Sequence, residues 1–263
     1  ASAMGNFSRM MGEIGYPPCA GGVMVSNPHW RMTAAQWRTR LHGWRSQYDA
    51  QAAMDLAIAL DARPVAGNAG LFAPLDAQLQ ALGGDERLLH AMARAALQFE
   101  APLSLFGQLR PGERGLDIKR GGIFPIVHGL RCLALKHGIA QRNSFARCEA
   151  LVQAGALDAA LGRDLDQTLA VLQRLRLDAQ LAALDAGAAA DNCLHPDALR
   201  RLAPRGDAGD AWLMSRMLAS AVLEIAFAES GAPPRPVLVR ELARLGFRMF
   251  AGRDPEPRRG ARG

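Results

Sequence analysis

A mainly α-helical protein with a small α+β remnant near its amino terminus is what the sequence predicts, and three observations predict it. From Asp85 to Ser230, apolar residues recur at helical spacing in successive segments joined by short loops. Short apolar runs that suit strands are confined to the first 70 residues. The 263 residues, with a mean hydropathy of −0.02, suffice for a buried core. No apolar run reaches the roughly 18 residues that a bilayer span needs.

In the first part, "GGVMVSN" (21–27), bounded by glycines and an Asn27-Pro28 turn, predicts a strand. "TAAQWRTRLHGW" (33–44) predicts a capped amphipathic helix that buries Trp37, Leu41 and Trp44. "DLAIALDARPVAG" (55–67) reads either as a buried strand ending at Asp61 or as the tail of a helix begun near Asp49. Leu56, Ile58 and Leu60 alternate, whereas the alanines favour a helix.

Beyond residue 84 the helical signals strengthen. Asp85 is placed to cap a helix carrying Leu88, Leu89, Met92, Ala96 and Phe99 on one face. A second helix follows through Ile126, Val127, Leu130, Leu133 and Ala134 to Gly138, and a third runs from a Ser144 cap through Phe145, Cys148, Leu151 and Val152. A longer helix from Asp158 turns Leu161, Leu165, Leu169, Leu172, Leu175, Leu181 and Leu184 inward. "HPDALRRLA" (195–203) and residues 209–230 continue the bundle. "GAPPRP" then breaks the chain before an amphipathic segment at 237–250 and a basic, Pro/Gly/Arg-rich tail. The organisation read from this is residues 1–82, a helical domain at 83–230, and an extension at 231–263.

Charge and cysteines narrow the function. The net charge of +6 and pI near 9.8 invite a nucleic-acid reading. Part of that charge lies in the tail, only 6% of residues are aromatic, and no basic–aromatic interleaving exists for stacking bases, so the pattern argues against nucleic acid. Cys19, Cys132, Cys148 and Cys193 include no CxxC pair, and the first residues carry no signal-peptide run. The expectation is a soluble cytoplasmic protein with free thiols and no membrane partner.

One stretch carries chemistry. "DIKRGGIFPIVHG" (117–129) sets two cations before two glycines and the start of a helix. The first turn of a helix presents unpaired N–H groups, and glycines allow a phosphate to approach the backbone, so the pattern suits an anion. In the opposing reading, Asp117 and Lys119 form a local ion pair that pins a loop. His128 and His137 are nine residues apart, too far for a two-ligand zinc site, and read as polar-face residues. Cys19 reads as a buried structural thiol, since no histidine partner is evident. Trp30, Trp37 and Trp44 read as core.

The motif Asp117-Ile-Lys-Arg-Gly-Gly-Ile123, followed by Pro125-Ile126-Val127 and Leu130-Arg131, resembles the signature of the nucleotidyltransferase substrate-binding domain. That domain occurs in bacterial proteins related to the uridylyltransferase of the PII signalling protein and the adenylyltransferase of glutamine synthetase. "APLSLFGQL" (101–109), "LRLDAQL" (175–181) and Asp191-Asn192 are similar to the same family. "GYPPCAGGVMVSNPHWRMTAAQW" (15–37) and "LDARPVAG" (60–67) resemble the second half of its nucleotidyltransferase domain.

The resemblance implies a helical substrate-binding domain preceded by the second half of a polymerase-β-like fold, with two or three strands in an incomplete sheet whose open edge favours a homodimer. It implies transfer of a nucleotidyl group from a nucleoside triphosphate, with Mg2+, in signal transduction, a protein being one candidate acceptor. Asp61 corresponds to a third metal-binding carboxylate and Arg63 to a triphosphate contact. The local alternatives are an Asp61–Arg63 pair or a turn cap. Asp117, Lys119, Arg120, Gly121, Gly122 and Arg131 correspond to a nucleotide- or substrate-binding junction facing Asp61 across a cleft. Arg176 and Gln180 either point into the substrate groove or hydrogen-bond between helices.

The family's Asp-x-Asp segment has no counterpart here, and its expected place is ahead of the "GYPPC" block. The expectation is therefore a fragment or a degenerate gene, inactive alone. The competing readings are a non-catalytic nucleotide- or protein-binding module and an RNA-binding helical protein.

Overall fold

A computed structural model describes residues 2–46, 49–97 and 115–194. The segments 101–109, 195–203, 209–230 and 237–263 read above lie outside these residues. The protein is mainly helical.

Helix α1 (Ser2–Glu13) leaves Phe7 and Met10 exposed. Helix α2 (Ala34–Ser46) opens with a capping box: Gln36 N–H donates to Thr33 Oγ1 at 3.2 Å, and Thr33 N–H donates to Gln36 Oε1 at 2.8 Å. The segment left open between strand and helix is α3 (Ala50–Ala59). Asp49 caps it by accepting from Ala52 N–H at 2.7 Å. Leu56 and Leu60 both enter the core, four residues apart as one helical face requires. After a 3-10 turn at Ala69–Leu71 come α4 (Ala73–Gln80) and a second 3-10 turn at Ala81–Gly84. Helix α5 (Glu86–Leu97) starts where expected, with Asp85 accepting from Leu88 N–H at 3.2 Å.

The strand expected at 21–27 does not form. Asn27 Nδ2 donates to Gly22 O at 2.9 Å, Gly22 N–H donates to Cys19 O, and Val23 and Val25 stay exposed. Consecutive turns consume the backbone groups that a ladder would need. No strand occurs among the described residues of the first 70, so the open sheet edge on which self-association was expected is absent there. The described strands lie elsewhere: β1 (Leu116–Asp117) pairs antiparallel with β2 (Cys193–Leu194), Leu116 opposite Leu194 and Asp117 opposite Cys193.

One turn of π-helix (Lys119–Ile123) leads into α6 (Phe124–Lys136), and Phe124 N–H donates to the carbonyl of Lys119, five residues back. Helix α7 (Ser144–Gln153) is capped by Asn143, which accepts from Phe145 and Ala146 N–H; Ser144 is its first residue, not its cap. Helix α8 (Ala159–Asp185) begins at an Asp158 cap. Its inward stripe ends at Leu175, and Leu177, Leu181 and Leu184 are exposed, contrary to expectation for the last two.

The core is one cluster. Leu41 and Trp44 (α2), Leu56 (α3), Leu79 (α4), Met92 (α5), Leu130 (α6), Leu151 (α7) and Leu169 (α8) all belong to it. The predicted division at 82/83 falls inside this cluster. Gly83 packs so tightly on α6 that a Cβ there would lie 2.1 Å from the Leu135 carbonyl oxygen. Among the described residues, no helix is long and apolar enough to cross a membrane.

Candidate functional site

Asp61 leaves the end of α3 and meets two arginines from the helical part. Its Oδ2 accepts from Arg131 Nε at 3.0 Å and from Arg131 Nη2, and its Oδ1 accepts from Arg147 Nη2. The Asp61 side chain is 29% exposed, that of Arg131 11% and that of Arg147 4%. Burial alone would raise the Asp61 pKa. The hydrogen bonds and charges of Arg131 and Arg147 outweigh it and hold the carboxyl below its ordinary value. Burial lowers the Arg147 pKa against the opposing pull of Asp61.

Two further groups complete this network. His128, one turn before Arg131, is fully buried, where a polar-face residue was expected. Its Nε2 lies 2.8 Å from the Met92 carbonyl and its Nδ1 3.2 Å from Arg131 Nη1. A carbonyl only accepts and a guanidinium only donates, which assigns a neutral ring protonated at Nε2. Burial, then the Arg131 charge, pushes the His128 pKa down to about 4. Arg142 donates to Asp76 at 2.6 Å, tying the α6–α7 loop to α4.

This arrangement is a clamp between segments. Both Asp61 oxygens are engaged by guanidinium groups, neither by Arg63, which is exposed. The described residues contain no group of three or more His, Cys, Asp or Glu that could hold a metal ion. Asp61 is the residue that the resemblance assigns to a Mg2+ site, and here both its oxygens face guanidinium groups.

The "DIKRGG" stretch has a different geometry from the one expected. Asp117 Oδ1 accepts from Arg120 N–H at 2.9 Å, closing the turn, so a backbone cap stands where the opposing reading placed an Asp117–Lys119 ion pair. Lys119 and Arg120 are exposed. Gly121 and Gly122 are buried in the π turn. A Cβ on Gly122 would lie 2.9 Å from Leu172 Cδ1, so this glycine permits close packing of α8. The glycine amides are therefore not an open anion cradle. Arg131 lies eight residues beyond Ile123, about 12 Å along the helix axis, and its guanidinium turns to Asp61. The structure thus sorts the expected residues into two groups: Asp61 with Arg131, and the turn at 117–122 with α8.

The second group brings together three separated segments. Ile118 N–H donates to Asn192 O at 3.1 Å, beside the β1–β2 pair. Gln180 Nε2 donates to Asp191 O at 3.0 Å, a bond from α8 to the segment before β2 and not one between helices. Arg176 lies one turn beyond Leu172, and its Nε and the Oδ1 of Asn192 are buried without hydrogen-bond partners. Residues 117–123, 176–180 and 191–192 therefore form one neighbourhood.

The segments assembled here are those on which family membership rests. Residues 86–205 match the family described as "Putative nucleotidyltransferase substrate binding domain", and residues 1–51 match the one described as "Putative nucleotidyltransferase". The chain belongs to this nucleotidyltransferase family. No curated protein and no solved structure matches the chain. Within the family match, residues 117–122, Arg131, Arg176 and Gln180 all fall in the substrate-binding domain, whereas Asp61 and Arg63 lie between the two matched regions.

Sequence reasoning missed Arg147, Arg142 and Asp76. Arg147 carries no signal of its own, since an arginine within "SFARCEALVQ" reads as a solvated residue. Its role follows only from Asp61, a carboxylate that is 70 residues or more from its nearest buried cations in sequence and needs both. Cys19 is exposed, where a buried thiol was expected, because the turns at 19–27 stand off the core. Cys132 and Cys148 are buried, and burial pushes each thiol up to about 12, so neither is a nucleophile at neutral pH.

Proposed function

We propose that this nucleotidyltransferase-like chain supplies the substrate-binding side of nucleotidyl transfer, in a protein resembling the PII-uridylyltransferase group and working in signal transduction. The nucleoside triphosphate, or the acidic groups of a protein acceptor, docks where the π turn, α8 and residues 191–194 meet. Lys119 and Arg120 offer exposed charge, and Arg176 offers a buried guanidinium N–H with no internal acceptor. What supports the reading is one observation: the segments resembling the family, distant in sequence, converge on Arg176 and Asn192, whose buried polar atoms are unpaired.

The chain's own part in this reading is binding and orientation. The engaged state of Asp61 favours that division, because two guanidinium charges stand beside both its oxygens and oppose a further cation there. Calorimetric titration with ATP and UTP, in magnesium and in EDTA, tests it. Saturable binding should persist in EDTA. Lys119→Ala should weaken it about tenfold, since a charge-assisted contact is worth roughly 1.5–3 kcal/mol and a decade of affinity about 1.4 kcal/mol. Absence of binding, or binding that vanishes with EDTA, refutes the proposal.

A further inference from the structure

On the opposite flank of α3 lies a cleft of about 840 Å3 between α2, α3 and the 28–32 loop. It holds a cluster that the site above does not use. The buried Asp55 (side chain 5% exposed) places Oδ2 2.6 Å from His29 Nε2, and its Oδ1 accepts from Gln51 Nε2 at 2.7 Å. Arg40 Nη1 lies 3.0 Å from His29 Nδ1. The same Arg40 Nη1 lies 3.3 Å from His29 Nε2, so the guanidinium sits over the ring face between the two nitrogens, while Nε2 faces the Asp55 carboxylate. The ring is fixed from further sides as well. Trp30 meets it edge-on at 5.2 Å between centroids, and His29 N–H donates to Asn27 Oδ1 at 3.0 Å.

A buried acid satisfied by a histidine and a glutamine would be a structural feature and nothing more. Three facts exceed that need. The His29 side chain is 38% exposed and borders the cleft. Arg31 lines the same cleft, and its side chain has no ion-pair or hydrogen-bond partner among the described residues. Pro28, Met32, Ala35 and Trp44 give the wall an apolar part, beside a polar part from Gln36, Thr39 and Asp49. Two guanidinium groups and an imidazole beside a partly apolar wall suit a tetrahedral anion carried on an apolar body, and the volume matches a ligand of nucleotide size.

We propose that this cleft is a second binding site, for a phosphate monoester, in which Arg31 and Arg40 hold the phosphoryl group against His29. The site is independent of the docking face around Lys119 and Arg176. As the ester binds, the Arg40 guanidinium moves from the His29 ring face to a phosphoryl oxygen, and Arg31 takes a second. Asp55 holds the His29 ring in place from Nε2. Asp49, the other acid lining the cleft, is occupied as the α3 cap.

Calorimetric titration of the full chain with phenyl phosphate tests this. The expected result is saturable binding. Arg31→Ala and Arg40→Ala should each weaken it about tenfold or more, while Lys119→Ala leaves it unchanged. Absence of binding at millimolar ester, or binding unaffected by Arg31→Ala and Arg40→Ala, overturns the proposal. Binding lost with Lys119→Ala but kept in both arginine variants would place the anion on the other face, overturning this inference while leaving the proposed function standing.

Discussion

Replacing His128 with glutamine should flatten the acid limb of the protein's stability curve. The folded protein holds His128 neutral, with a pKa pushed down to about 4, against 6.5 for an ordinary histidine. Below pH 6.5 the unfolded chain binds a proton at this position and the folded chain does not. Stability therefore rises with pH across this window, is fully present above pH 6.5, and is lost as pH falls towards 4. Each pH unit of separation is worth about 1.4 kcal/mol, which sets a ceiling of about 3.5 kcal/mol. About 2.5 kcal/mol of that should be lost between pH 7.5 and pH 4.5. Glutamine offers an amide N–H to the Met92 carbonyl and does not titrate. Urea unfolding of both proteins at intervals from pH 7.5 to 4.5 reads the difference, because every other titrating group contributes equally to the two curves. His128→Gln should lower stability at pH 7.5 and narrow the gap to wild type as pH falls. Parallel curves would refute the reasoning, since they would mean that the buried ring takes up its proton without cost.

Two further outcomes follow from the packing. Asp61→Ala leaves the guanidinium groups of Arg131 and Arg147 without their carboxylate, and breaking a buried pair in this way costs about 3 kcal/mol. At roughly 2–4 °C per kcal/mol, differential scanning calorimetry should show a fall of about 6–12 °C; a fall below about 2 °C would remove Asp61 from the fold's stabilising contacts. Gly122→Ala presses on the end of the flexible Leu172 side chain, whereas Gly83→Ala meets the α6 backbone. Overpacking costs about 1–3 kcal/mol, with Gly122→Ala at the low end and Gly83→Ala at or beyond the high end. The reverse order in melting temperature would contradict the packing described.

The helices were legible because their signals are local. Thr33 with Gln36, Asp85 and Asp158 each cap the helix they precede, and the stripes through Leu88 and Leu165 have a single solution. The "GGVMVSN" segment misled because short apolar runs acquire strand geometry only from a partner, and Asn27 had already committed the backbone to turns. The β1–β2 pair is too short to carry a period of two. Family resemblance found Asp61 and Arg131 but grouped Arg131 with the 117–122 turn, across a cleft from Asp61, because no local pattern encodes Arg147 or the burial of both glycines against α8. Asp55 did leave a trace: it is an acid on the otherwise apolar face of "AQAAMDLAIA", and a buried carboxylate needs a partner. That the partner is His29, 26 residues earlier, is a tertiary fact.

The continuity of the core across residue 83 bears on how such a chain can be inherited. Leu79 and Leu82 are buried against the same cluster as Leu88 and Met92, and the Gly83 backbone lies against the Leu135 carbonyl. A recombination event that swapped the stretch before Glu86 for an unrelated one would strip α5 and α6 of their cover and leave Arg131 and Arg147 without Asp61. The stretch from α3 to Gly83 and the helices that follow it therefore form one packed unit, which a cut at Gly83 would open on both sides.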